Sequence, residues 1–86
     1  MKDLLNDSAS RAITYLEGID RRKVAPDSKA IANLRNLEEP LQDSKTDPHE
    51  VIRILDEVCS PATLASTGGR FFGYVIGGSL PVTVAA

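Results

Sequence analysis

Cys59 is the only cysteine in the chain, so no disulfide can form within it. His49 is the only histidine, and these two soft ligands fall short of the roughly four that a structural zinc requires. Tryptophan is missing altogether, and phenylalanine and tyrosine contribute 2 residues each. Nor is one sign of charge in excess. With 10 Lys/Arg against 12 Asp/Glu, the net charge of -2 gives neither nucleic acid nor an anionic membrane an electrostatic footprint. No apolar run approaches the ~20 residues that span a bilayer. The start, Met1-Lys2-Asp3-Leu4-Leu5-Asn6-Asp7, lacks the apolar stretch of a signal peptide. A lone cysteine without an export signal makes the cytoplasm the expected compartment.

The length, 86 residues, suits one small domain. A chain of this size buries only roughly 60% of its unfolded surface, and small domains compensate with disulfides, a metal or a partner. With the first two excluded, the expectation is a partner chain or the remainder of a longer protein. The distribution of charge points the same way. From Ser60 to Ala86 the only Lys, Arg, Asp or Glu is Arg70, whereas the residues before Ser60 are densely charged. So apolar a stretch needs covering.

Residues 3–20 read as an amphipathic helix. Leu5, Ala9, Ala12, Ile13, Leu16 and Ile19 form one stripe, with Asp7, Ser8, Ser10, Arg11, Thr14 and Glu17 on the other side. Gly18 weakens its last turn, and Asp20-Arg21-Arg22-Lys23 reads as a solvated exit with cations near the helix end. Pro26 holds Ala25 extended. Asp27 or Ser28 then caps a short helix carrying Ile31, Leu34 and Leu37, which Pro40 ends. A polar loop follows over residues 40–46. The third helix has the clearest start, with Asp47 as N-cap, Pro48 at the first position and Glu50 at the capping-box position. Its apolar face carries Val51, Ile52, Ile54, Leu55, Val58 and Cys59, with Arg53, Asp56 and Glu57 opposite. Ser60-Pro61 repeats the cap-plus-proline pattern and predicts one further turn or short helix over Ala62–Ser66.

Arg70-Phe71-Phe72-Gly73-Tyr74-Val75-Ile76 lies between glycine pairs. Its aromatic and β-branched residues predict a short extended segment over 71–76. Ser79 with Pro81 starts a last helix through Leu80, Val82 and Val84, with no stop signal before Ala86. The fold class expected is therefore mainly α: amphipathic helices, three to four of them, plus one short extended segment. The division is residues 1–59, a helical segment, and residues 60–86, a glycine-rich apolar one.

No side chain presents a catalytic pattern. His49 sits in a helix's first turn without a nucleophile nearby and reads as exposed. Cys59 lies on an apolar face and reads as packed. Lys2, Lys23, Lys29 and Lys45 have polar surroundings, not the desolvated pocket that activates a Schiff-base lysine. Gly77-Gly78-Ser79 entering a helix has backbone N–H groups for an anion, but neither P-loop lysine nor GxGxxG spacing; its glycines also suit a tight turn. Arg70 calls for a carboxylate partner beyond these residues or an exposed loop position. Tyr74 suits a pocket lining or a core equally.

Ser60-Pro61-Ala62-Thr63, followed by Gly69-Arg70-Phe71-Phe72-Gly73-Tyr74-Val75-Ile76-Gly77-Gly78-Ser79-Leu80-Pro81, resembles the group II pyridoxal-phosphate-dependent amino-acid decarboxylases. The helices before this block also fit that family, although only residues 60–86 are specific. The resemblance implies that the chain is the amino-terminal fragment of a carboxy-lyase several times longer, with the α/β aspartate-aminotransferase fold (fold type I). Residues 1–59 would then form the helical segment embracing the partner subunit of a homodimer, and residues 60–86 the start of the decarboxylase domain. In such enzymes pyridoxal 5'-phosphate is held by an aldimine lysine, an aspartate and a stacked histidine. The lysine usually follows a histidine, but here Glu50 follows His49, and all three positions would lie beyond Ala86. The fragment alone is therefore expected to bind no cofactor and to be inactive. Tyr74, Gly77 and Gly78 match the edge of the amino-acid substrate pocket, and the apolar Tyr74-Val75-Ile76 argues against a dicarboxylic substrate. The alternative is a self-contained helical interaction module.

Overall fold

In a computed structural model that describes residues 1–86, the chain is mainly helical and contains no β-strand. Helix α1 spans Lys2–Gly18, and the chain leaves it after the glycine that the sequence marks as a weak point. Helix α2 spans Ser28–Asn33; its N-cap is Asp27, whose carboxylate accepts the Ala30 amide at 2.8 Å. The helix tightens into a 3-10 turn over Leu34–Leu37, so it ends before Pro40. Helix α3 spans Pro48–Ile54, and Asp47 caps it by accepting the His49 amide at 2.9 Å. The predicted capping box is not formed, because the Glu50 carboxylate is engaged by the Arg53 guanidinium instead. The helix widens to a π-turn over Leu55–Cys59 and closes with a 3-10 turn at Ser60–Ala62. A widened last turn fits Pro61, which has no N–H to give to an α ladder. The further turn or short helix expected over Ala62–Ser66 is this 3-10 turn, which lies earlier than expected because Thr63 is already extended. Helix α4 spans only Pro81–Ala85, with Leu80 and not Ser79 at its N-cap.

The docking of α1 departs from the amphipathic expectation. Its half-buried side consists of Leu4, Asp7, Ser8, Arg11 and Tyr15. Four residues of the apolar stripe (Leu5, Ala9, Ala12 and Ile13) are exposed, and only Leu16 and Ile19 are partly covered. Polar contacts set this orientation: Arg11 reaches Asp56 on the third helix at 2.8 Å, and His49 Nδ1 lies 3.4 Å from Asp7. Asp56, expected on the solvent side of its helix, therefore faces α1.

A second set of contacts closes the chain on itself. The Arg22 guanidinium donates to the Ser60 carbonyl, to the Thr63 carbonyl at 3.1 Å and to the Ser60 hydroxyl at 3.3 Å. It also lies 5.0 Å from the centroid of the Tyr15 ring. Arg22 is thus a latch and not part of a solvated exit. Arg70 donates to the Arg22 carbonyl, and the Ala65 amide donates to the Val24 carbonyl at 2.9 Å.

Only Ala65 and Gly68 are buried, and both lie at this junction. A methyl added at Gly68 would meet Ile19 Cγ1 at 3.0 Å and the Ala65 carbonyl oxygen at 3.5 Å. Gly68→Ala is expected to cost about 1 kcal/mol through overpacking. At Gly69 a methyl meets nothing within 4 Å, so Gly69→Ala should stay within about 0.5 kcal/mol of wild type. Thermal melts of the two variants check the difference.

Elsewhere the chain is open. It exposes 6960 Å², about 2,000 Å² more than area–mass scaling gives for a folded monomer of its size. Its radius of gyration is 14.7 Å, against about 12 Å expected for a globular domain of this length. No helix is long and apolar enough to cross a membrane.

Candidate functional site

Of the residues singled out as a pocket edge, Tyr74 lies on a projecting turn and not in the extended segment expected over 71–76, and Gly77 and Gly78 follow that turn. The Ile76 amide donates to the Gly73 carbonyl at 3.0 Å, closing a four-residue turn with Tyr74 and Val75 at its centre. Both central residues have positive φ, 57° and 58°. That pairing belongs to type I′ turns, which favour asparagine and glycine. A β-branched valine there is a clear outlier, and such positions cost of order 1–3 kcal/mol each. The physical reason for the departure from extended geometry is that a strand needs a ladder partner, and none of these residues forms a strand.

The turn places Tyr74, Val75 and Phe72 almost wholly in solvent; Tyr74 and Phe72 are each 91% exposed. Gly77 packs closely under the turn. A Cβ there would sit 2.6 Å from the Phe71 carbonyl oxygen, so only glycine fits this arrangement. Gly78 has no such neighbour. Tyr74 and Gly78 are thus exposed and Gly77 half-buried between them, without a pocket formed around the three. The anion cradle at Gly77-Gly78-Ser79 finds no support either, because the five-residue helix α4 has little dipole to offer.

A concave surface does exist, and sequence patterning missed where it would lie. The α1 stripe residues Ala9, Ala12, Ile13 and Leu16 face Pro81 and Val84 of α4 across a mainly apolar groove of about 620 Å³. The stripe itself was legible; its pairing with residues about 70 positions later was not. A smaller hollow of about 350 Å³ includes Arg22, Lys23, Asp27 and Pro61.

The charged groups form one network on the helical segment, joined at Glu57, which lies 3.9 Å from Arg11 and 2.5 Å from Arg53. Partial burial pushes the Asp7 carboxyl up, but hydrogen bonds from Arg11 and His49 more than offset this and hold it below its usual value. The hydrogen bond to Asp56, and then that to Asp7, raises Arg11. On the third helix the Arg53 guanidinium lowers Glu50, while Glu50 and then Glu57 raise Arg53. A carboxyl lowered by folding contributes stability above its unfolded pKa and loses it as pH falls through the folded one. The α1–α3 contact should therefore weaken as pH drops below about 4. Chemical denaturation across that range checks this, and Asp7→Asn should flatten part of the acid loss.

Lys2, Lys23, Lys29 and Lys45 are all exposed, so none has the dry surroundings that an aldimine lysine needs. His49 faces Asp7 at the helix start, and Cys59 is half-buried. No three His, Cys, Asp or Glu residues are gathered to hold a metal ion. Arg70 is exposed and donates to the Arg22 carbonyl. No protein-family model, curated protein or solved structure matches this chain.

Proposed function

We propose that this chain is the amino-terminal segment of a pyridoxal-phosphate-dependent amino-acid decarboxylase, supplying dimer interface and one edge of the substrate pocket. The similarity of Arg70 to Pro81 to the group II family supports the chemistry. The observation that carries the interface role is the uncovered α1 stripe on a chain with only 2 buried residues. The surplus of about 2,000 Å² exceeds the roughly 800 Å² per partner of a standard interface and falls in the range of obligate assemblies. The partner proposed is a second copy of the same protein. In the parent, of α/β aspartate-aminotransferase type, the cofactor would act as the electron sink for loss of the carboxylate. The resemblance would put the lysine, aspartate and histidine that hold it in other parts of that parent. Tyr74, Gly77 and Gly78 would border the amino-acid substrate.

The full-length protein, supplied with pyridoxal phosphate, should release carbon dioxide from at least one free amino acid, and the chain alone should release none. Release by the chain alone, or by neither protein across the standard amino acids, would count against the proposal.

The same uncovered stripe favours a second reading, a helical interaction module without catalysis. That reading expects residues 1–59 to melt cooperatively, with a midpoint that rises with concentration. The decarboxylase reading expects no cooperative transition in that truncation.

A further inference from the structure

We infer that residues 71–77 are a two-state element, a closed left-handed turn that opens to an extended segment, with the Gly77–Phe71 approach as its catch. This does not depend on the decarboxylase proposal. Three observations converge on it. Tyr74 and Val75 hold positive φ, which neither residue type favours. Their side chains gain no packing in exchange, since Tyr74 is 91% exposed and Val75 fully exposed. The flanking residues also form no strand pair, the setting in which a type I′ turn matches the local twist.

One hydrogen bond, from the Ile76 amide to the Gly73 carbonyl, holds the turn closed, together with the tight seat of Gly77 against the Phe71 carbonyl. Local preference runs the other way. Phe71, Phe72, Tyr74, Val75 and Ile76 are all strand formers, so local preference opposes the closed turn. Opening returns both central residues to negative φ. It also sets Phe72, Tyr74 and Ile76 on one side of an extended chain, an apolar ridge the closed turn does not present.

Gly77 makes the device testable. A Cβ at 2.6 Å from a backbone oxygen cannot be relieved by moving a side chain, whereas an extended segment accepts alanine freely. The experiment is NMR on the full chain, using one-bond Cα–Hα couplings to fix the sign of φ and amide exchange at Ile76. Gly77→Ala should move Tyr74 and Val75 to negative φ and remove protection at Ile76, with the helical circular dichroism retained. Tyr74→Asn/Val75→Gly, which suits the closed turn, should raise Ile76 protection by roughly tenfold or more. Positive φ persisting at either residue in Gly77→Ala overturns the inference. If that variant fails to fold, unchanged Ile76 protection in the double variant overturns it alone.

Discussion

Replacing Ala12 by arginine should abolish self-association of the chain while leaving its helices intact. Ala12 sits mid-way along α1, exposed on the stripe that includes Leu5, Ala9, Ile13 and Leu16. Small residues at this point let another apolar surface approach closely. An arginine there would carry a charge into the contact, and an unpaired charge in a desolvated interface is costly. Arginine is also among the better helix formers, so α1 itself should persist. The polar contacts that dock α1 (Asp7, Arg11 and Asp56) lie on its other side. Sedimentation should show the wild-type chain associating and the variant remaining monomeric, with affinity weakened by roughly 100-fold or more. Ala12→Leu, which enlarges the apolar surface, should retain association. Equal behaviour of Ala12→Arg and wild type would remove the stripe from the interface.

The second large effect is expected at Arg22. Its guanidinium joins the end of α1 to the turn at Ser60 and Thr63, and its own carbonyl receives Arg70. Three features make it more than a surface charge: acceptors on two residues, the Tyr15 ring beneath it, and a position beside the only buried residues. Arg22→Ala should cost about 2 kcal/mol, since hydrogen bonds to a charged group are worth about 1.5–3 kcal/mol and partial exposure discounts them. In a domain of this size that lowers the melting midpoint by roughly 10 °C. Arg22→Lys should recover only part of the loss, because an ammonium cannot reproduce the planar fork. Thermal denaturation of the two variants separates the fork from the charge.

Local chemistry was legible where it decided structure alone. Asp47 before Pro48 and Asp27 before Ser28 mark helix starts, because a capping carboxylate acts within three residues. Gly18, the last residue of α1, acts locally too, through its weak helix propensity and not through a cap. Periodicity found the α1 stripe but not its destination, since a repeat states which residues share a face and not which face is covered. The deciding contact, Arg11 with Asp56, spans 45 positions, and that separation leaves no local trace. Arg22 was hidden for the same reason, its partners lying 38 and 41 positions away. Residues 71–76 were misjudged for a different reason. Their side chains favour a strand, but a strand is a property of a pair, and no strand forms in the chain for them to join. Of the candidate pocket edge, sequence located Tyr74, Gly77 and Gly78 in one segment. Only the structure showed that segment turned back on Gly77 and open to solvent.

The most direct test of the functional claim is borohydride reduction of the full-length protein loaded with pyridoxal phosphate, followed by peptide mapping. The account predicts an aldimine absorbance band that reduction bleaches, with the reduced cofactor attached to one lysine outside residues 1–86. Attachment to Lys2, Lys23, Lys29 or Lys45, or no aldimine band at all, would contradict it.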